Sequence, residues 1–215
     1  MMRTGPRSDR TEGWGVVGSE HRVEIFFDYS SPFAYLGSTQ IEAIAEATEA
    51  KVVWRPFLLG ALFKEIGTPI VPMATFPQAK VDHARKDMER WAQWYEVPLV
   101  FPSNFPIHTV MALRLTLATP VERRPPLIHR IMRLVWVEDA LPDEAGLLRC
   151  LEDVGLDTSL LDQVGNDDVK QALRDATDGA LARGVPGAPT FFVGEELFWG
   201  QDRLLFVEAA LRSRV

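Results

Sequence analysis

The sequence predicts an α/β fold in which a sheet domain is interrupted by a long helical segment. Two short apolar runs, residues 23–28 and 51–57, flank a helical stretch. A strand, helix and strand of this length form a right-handed parallel unit. Two more strand-like runs, 190–193 and 196–199, follow near the end of the chain, and residues 58–183 between the two pairs carry helical patterns. The predicted order is therefore βαβ, a helical block, and ββα.

The first strand and helix have clear local signals. Residues 23–28 are apolar and rich in strand-forming side chains, as in a buried strand. Ser30 or Ser31 then precedes Pro32, which places a hydroxyl cap before a proline that needs no N–H at the first helical position. Apolar side chains recur at helical spacing up to about Glu49, so we expect the helix to end there.

The helical block is divided by prolines. A stripe of apolar side chains predicts one helix from Lys80 to Glu96. Further helices are predicted over residues 107–118, 126–138, 143–154 and 167–183. Strand character returns after this block, with a hairpin turn at Gly194 and Glu195 and a closing helix over residues 201–214.

Composition and charge exclude several classes of function. The 215 residues carry a formal net charge of −7, which gives no electrostatic basis for binding nucleic acid or an anionic membrane. No apolar run is long enough for a signal peptide or a membrane span. The single cysteine, Cys150, lies in an apolar helical pattern and is expected to be buried. We therefore expect a cytoplasmic protein whose residues 1–22 form a disordered extension.

Ser31 occupies the position where an open α/β sheet binds its ligands. It follows the first strand and precedes the first helix, where unpaired N–H groups and the helix dipole stabilise an anion such as a thiolate. On the residues alone, a helix cap is the simpler explanation of Ser31, because such caps are common. A covalent serine nucleophile is disfavoured because the chain has no G-x-S-x-G motif or triad-like histidine. No metal site is predicted, since the histidines and carboxylates lack ligand spacing.

Two later motifs are weaker by themselves. Gly187-Ala188-Pro189-Thr190 fits a turn that opens a strand, and the residues alone predict a trans bond before the proline because most such bonds are trans. Asp202 follows Gly200 at a helix start, where an acid in the first turn is common.

Taken together, several motifs resemble those of 2-hydroxychromene-2-carboxylate isomerases. These enzymes are relatives of kappa-class glutathione transferases within the wider DsbA-like group. The likeness runs from about Val23 to the C-terminus, and it depends on the order and spacing of four main motifs and two in the middle of the chain. The main motifs are FDYSSPFAYLG (27–37), RPFLLGALFK (55–64), GVPGAPTFFVG (184–194) and ELFWGQDRL (196–204), and the others are DMERWA (87–92) and FPSNFP (101–106).

The resemblance implies a thioredoxin-like domain, formed by residues 23–57 and 184–215, with a helical insertion over residues 58–183. It also implies a homodimer that binds glutathione as cofactor and a small-molecule substrate. Ser31 stands where a disulfide oxidoreductase has its attacking cysteine, and it would donate a hydrogen bond to the glutathione sulfur and lower the thiol pKa. Ala34 replaces the resolving cysteine, so a Cys-x-x-Cys redox cycle is excluded.

The resemblance also assigns cofactor contacts. It implies a cis bond before Pro189, with the backbone groups of Ala188 holding the cysteinyl part of glutathione. Gln201 and Asp202 match positions that hold the γ-glutamyl end, where helix-start N–H groups suit its carboxylate and Asp202 its ammonium. Lys80 matches a lysine near the glycyl carboxylate.

Two positions depart from the pattern of the isomerases. Thr68 stands where these proteins often have an asparagine that contacts glutathione. His108 stands where isomerases commonly have an asparagine near the second substrate, so it indicates either a different substrate or a histidine with an ordinary structural role. We expect Phe33 and His108 to lie near the substrate.

The leading hypothesis is a glutathione-dependent isomerase of an unsaturated aromatic-derived carboxylate. The thiolate would add to a conjugated carbon, a former double bond would rotate, and expulsion of the thiol would regenerate glutathione. One alternative is a kappa-like glutathione transferase, which consumes glutathione. Another is a non-catalytic thioredoxin-like binding module, and a disulfide oxidoreductase is the least favoured.

Overall fold

The computed structural model describes residues 21–214 and contains a mixed four-stranded sheet. Strand β1 (Arg22–Phe27) pairs in parallel with β2 (Lys51–Pro56) on one side. On its other side β1 pairs antiparallel with β3 (Thr190–Val193), which forms a hairpin with β4 (Glu196–Trp199). The predicted parallel unit and the closing hairpin are both confirmed, and the sheet order is β2-β1-β3-β4.

Eight α-helices lie in the described part of the chain, and most of them form the segment between β2 and β3. In chain order they are α1 (Pro32–Ala47), α2 (Leu59–Glu65), α3 (Gln78–Trp94), α4 (Val110–Ala118), α5 (Arg124–Trp136), α6 (Glu144–Asp153), α7 (Asp167–Ala182) and α8 (Leu204–Arg212). Short 3₁₀ turns occur at residues 72–75, 121–123, 158–165 and 201–203. The α/β class with a helical insertion is thereby confirmed.

Three details differ from the predictions. Helix α2 was not predicted, because its seven residues are too few to show a clear apolar period. The closing helix begins with a 3₁₀ turn over residues 201–203 and becomes α-helical at Leu204. A disordered extension was predicted for residues 1–22. Residues 1–20 of it lie outside the described part of the chain, and Arg22 already belongs to β1.

Helix α1 packs very closely on the sheet. A Cβ atom at Gly37 would lie 3.1 Å from the Phe191 ring and 3.3 Å from Cγ of Pro189, which is tighter than ordinary packing. Glycine at this position therefore lets α1 approach both β3 and the loop before it. As a result, the start of α1 and residue 189 are held side by side.

The helical insertion and the sheet share one hydrophobic core. Trp136 at the end of α5 is completely buried, and its indole N–H donates to the backbone oxygen of Tyr29 at 2.8 Å. The Tyr29 hydroxyl is 2.6 Å from that of Thr116 in α4. These bonds satisfy polar atoms that burial would otherwise leave without partners, and they fix the insertion to the loop that precedes α1.

At the other end of β1, Glu24 bonds two arginines. Its carboxylate accepts from Arg55 of β2 at 2.7 Å and from Arg183, just after α7, at 2.9 Å. Burial alone would raise the pKa of Glu24, but the two guanidinium groups outweigh it and lower that pKa. The ion pairs therefore join the end of the helical segment to the sheet. No helix among residues 21–214 is both long and apolar enough to cross a membrane.

Candidate functional site

Ser31 caps α1, as predicted. Its backbone is extended, and its Oγ accepts a hydrogen bond from the Ala34 N–H at 3.2 Å. The same hydroxyl donates to the backbone oxygen of Ala188 at 2.7 Å. Pro32 has no N–H and Ala34 is capped, so within the described chain Phe33 keeps a first-turn N–H without a protein acceptor. A buried hydroxyl and a free N–H thus meet at the positive end of a helix.

The loop before β3, which Ser31 contacts through Ala188, is held by a cis peptide bond and by hydrogen bonds to its neighbours. The Ala188–Pro189 peptide bond is cis, as the family resemblance implied and unlike the trans bond expected from the residues alone. The Pro189 oxygen accepts from the Gly200 N–H at 3.0 Å, and the Thr190 hydroxyl donates to the Gly187 oxygen at 2.7 Å. The Ala188 N–H has no partner among residues 21–214, so it is a second donor beside Ser31.

Gln201 lies near Pro189, because both residues pack against α1 at Gly37. A Cβ atom added to Gly37 would lie 3.6 Å from the Cβ atom of Gln201, and Gln201 is buried. The backbone oxygen of Gln201 accepts from the Tyr95 hydroxyl, one residue beyond α3, at 3.0 Å. Burial, with a contribution from the nearby charge of Asp202, raises the pKa of Tyr95 to about 12. Tyr95 therefore stays a hydrogen-bond donor at neutral pH and ties the insertion to the 201–203 turn.

Asp202 is half-buried at the same turn and is paired with its neighbour. Its Oδ2 lies 2.9 Å from Nη1 of Arg203, which is exposed. The preceding Gly200 has φ +105°, and a Cβ there would come within 2.5 Å of Oδ1 of Asp202. The turn therefore requires glycine at position 200, and it holds the Asp202 carboxylate close to the backbone.

Asp28 organises the loop that carries Ser31. Its Oδ1 accepts from the Ser30 N–H at 3.0 Å and from the Thr109 hydroxyl at 2.7 Å, while Oδ2 accepts from the Leu59 N–H at 2.8 Å. Burial raises the pKa of Asp28 above its ordinary value, although these donors act to lower it. The side chain thus joins three segments of the chain, and its backbone oxygen accepts the Ser31 N–H at 3.1 Å.

The other predicted site residues lie in several places. Phe33 is half-buried in the first turn of α1, beside Ser31. Lys80 is exposed in the first turn of α3, with its ammonium 3.8 Å above the Phe76 ring. Thr68 is half-buried, and its N–H donates to the Phe63 oxygen. In the described chain no hydrogen bond joins Lys80 or Thr68 to the Ser31 group, so their contacts with glutathione stay predictions.

His108 lies at a separate cavity of about 590 Å³, which we call the α4 cavity. It is lined by Asn104, Pro106, His108, Val110, Met111, Arg114, Leu141, Pro142, Asp143, Val164 and Gly165. The histidine is exposed, whereas its neighbour Thr109 is buried against Asp28. The cavity wall is therefore joined by one hydrogen bond to the loop that carries Ser31.

Two further groups bear on possible chemistry. Cys150 is buried, as predicted, and burial raises the pKa of its thiol to about 11, so it is poorly suited to act as a nucleophile. Among residues 21–214 no cluster of three or more histidine, cysteine or acidic side chains is arranged to hold a metal ion.

Sequence reasoning did not assign roles to Asp28, Thr109 or Tyr95. Asp28 belongs to the first motif, but its partners are 31 and 81 residues away along the chain. Tyr95 matches the apolar stripe of α3, which gives no sign of its bond to position 201. The polar character of Asp28 within an otherwise apolar stretch was the available signal, since buried carboxylates need several donors.

The contact between Ser31, at the start of α1, and Ala188, before the cis-proline, is called the Ser31–Ala188 corner. The fold and this corner together define a class of protein. The chain belongs to the family of the DSBA-like thioredoxin domain, whose model matches residues 22–212. In this chain the corner has serine and alanine at positions 31 and 34, so it has no cysteine pair.

Comparisons with individual proteins point to one branch of this class. The chain is 32% identical over 197 residues to a 2-hydroxychromene-2-carboxylate isomerase of Sphingobium xenophagum, covering 88% of this chain and 97% of the relative. It is 27% identical over 207 residues to glutathione S-transferase kappa 1 of Rattus norvegicus, covering 87% and 90%. A solved structure of 2-hydroxychromene-2-carboxylate isomerase superposes with a TM-score of 0.76 at 28% identity, covering 88% and 93%.

Proposed function

We propose that this protein is a glutathione-dependent isomerase of an unsaturated aromatic-derived carboxylate. The observation that carries the proposal is the corner where the Ser31 hydroxyl meets the Ala188 backbone at the start of α1. Isomerases and a kappa-class transferase are the relatives it resembles over most of its length. We further propose that the protein is cytoplasmic and a homodimer, as its family resemblance implies.

The residues present fit glutathione. The N–H groups of Phe33 and Ala188 have no protein acceptor in the described chain, and Ser31 can turn its hydroxyl from the Ala188 oxygen to an incoming sulfur. An extended cysteinyl backbone can therefore pair with Ala188 while its sulfur lies beside Ser31. Gln201 and Asp202 stand next to Pro189 at a turn, where they would hold the γ-glutamyl end.

When bound, glutathione supplies a thiolate that can add to a conjugated carbon of the substrate and later be expelled. The chain's own residues prepare this chemistry by favouring the charged sulfur. The Ser31 hydroxyl and the positive end of α1 stabilise an anion, and the cap at Ala34 keeps Ser31 in position. Tyr95 and Asp28 hold the surrounding turns, so the donors are oriented before the reactants meet.

The test is a turnover assay with 2-hydroxychromene-2-carboxylate. We expect isomerisation that requires glutathione and leaves its concentration unchanged after many turnovers. A kappa-like transferase, which the resemblance to the rat protein also supports, would consume one glutathione for each product formed. Binding of glutathione with no rate above background for this substrate, or for a general aromatic electrophile, would instead indicate a non-catalytic binding module.

A further inference from the structure

The α4 cavity contains a positively charged side chain that has no ion-pair partner among residues 21–214. Arg114 lines the cavity from α4, and its Nε is shielded from solvent without any hydrogen-bond acceptor. No ion pair to Arg114 is found within the described residues. A shielded charged donor without an acceptor is unfavourable, so this guanidinium is ready to accept an anionic partner.

The remaining lining suits a particular kind of anion. Met111 and Leu141 are large apolar side chains that stay partly exposed at the cavity, and an aromatic ring would bury their surfaces. Asn104 and His108 add polar groups to the same lining. The acidic member, Asp143, is already used as the cap of α6, where it accepts from the Gly146 N–H at 2.9 Å. The cavity therefore combines one arginine with apolar walls, two further polar side chains and a carboxylate that caps α6.

One segment of the cavity wall is hydrogen-bonded to the loop that carries the proposed thiol site. His108 and Val110 line it on either side of Thr109, whose hydroxyl bonds Asp28 at 2.7 Å. Asp28 lies three residues before Ser31 and accepts its N–H through the backbone oxygen. A ligand in the cavity would thus lie against a segment whose position is fixed relative to Ser31.

We propose that the α4 cavity binds the carboxylate of the aromatic substrate, with Arg114 as its ionic partner. This inference rests on the proposed function, because the carboxylate-bearing substrate comes from there. A guanidinium matches a carboxylate through two parallel hydrogen bonds. The terminal nitrogens of Arg114, unlike its Nε, are not shielded without a partner, and they can bond an entering carboxylate end-on.

The experiment measures binding without glutathione, so that it stands apart from the test of catalysis. Benzylidenepyruvate, an unsaturated aromatic 2-oxo acid, and its methyl ester are titrated by calorimetry into the wild-type protein and Arg114→Gln. Arg149→Gln is the matched control, because Arg149 is exposed on α6 and does not line the cavity. Arg114→Lys retains the charge but loses the paired geometry.

We expect the wild type and Arg149→Gln to bind the acid at least tenfold more tightly than the ester. Arg114→Gln should lose this preference, and Arg114→Lys should keep part of it. Thermal unfolding of each variant shows whether the fold is retained, and Arg114→Lys provides the test if the glutamine variant does not fold. Equal binding of acid and ester by the wild type, a preference unchanged in both Arg114 variants, or no binding of the acid at millimolar concentration would overturn the inference. Glutathione binding by the same proteins separately tests the proposed function.

Discussion

A buried carboxylate lies near each end of β1, and the pKa values of the two groups are shifted in opposite directions. At the start, Glu24 is paired with Arg55 and Arg183, and its pKa is lowered. At the end, Asp28 accepts only neutral donors, and its pKa is raised. The difference shows that Glu24 joins elements through charge, whereas Asp28 orders a polar loop through neutral donors and has no ion pair among residues 21–214.

The largest expected effect is the loss of Asp28. Asp28→Ala leaves the N–H groups of Ser30 and Leu59 and the Thr109 hydroxyl without their acceptor, so we expect the unfolding free energy to fall by about 3 kcal/mol. Urea denaturation measures the change. Asp178→Ala, at an exposed acid in α7, should change stability by less than about 0.5 kcal/mol. A similar small effect at both positions would show that Asp28 does not organise the loop.

The opposite pKa shifts predict opposite pH dependences. The lowered pKa of Glu24 means that its contribution is complete above the ordinary value of 4.5 and is lost as pH falls through the folded-state value. Glu24→Gln should therefore destabilise the protein by about 1–2 kcal/mol at neutral pH, and the difference from wild type should shrink in acid. Asp28 has a raised pKa, so its contribution decreases as pH rises from the ordinary value of 3.8.

Urea denaturation over a pH series separates these two behaviours. Glu46→Gln, at an exposed acid of α1, should follow the wild-type curve and serves as the control. If the Glu24→Gln difference stayed constant on acidification, the ion pairs would not be the source of its contribution.

How far the sequence predicts this structure depends on whether the interacting residues are close together along the chain. The start of α1 was predictable because Ser31 and Pro32 are adjacent and act locally. The partners of Asp28 were not, since a hydrogen bond between positions 28 and 109 depends on how the insertion folds back. The cis bond at Phe105–Pro106 was missed for a similar reason, because the residues alone do not distinguish it from the commoner trans form.

A smaller effect is expected at Tyr95. Tyr95→Phe removes the hydroxyl that bonds the Gln201 oxygen but keeps the ring against Trp91. One neutral hydrogen bond contributes about 1 kcal/mol, so the Kd for glutathione should rise by roughly fivefold if the 201–203 turn holds the γ-glutamyl end. Calorimetry measures this change. An unchanged Kd would place the γ-glutamyl end elsewhere.

The smallest effect is expected at Cys150. Its buried thiol has a raised pKa and lies in α6, so Cys150→Ala should leave glutathione-dependent turnover within about twofold of wild type while reducing stability by roughly 1 kcal/mol. The wild-type protein should also fail to reduce insulin disulfides. Disulfide reductase activity that disappears in Cys150→Ala would give this cysteine a redox role and remove the basis for a thiol site built on Ser31.

The most direct test of the account is the pKa of the glutathione thiol when it is bound. Ultraviolet absorbance of the thiolate is followed against pH in complexes of the wild type and Ser31→Gly, since glycine keeps a good helix cap but has no hydroxyl. We expect a bound thiol pKa well below that of a free thiol in the wild type, and a value about one pKa unit or more higher in the variant. Equal pKa values in the two complexes, or no glutathione binding to the wild type, would contradict the thiolate site at Ser31.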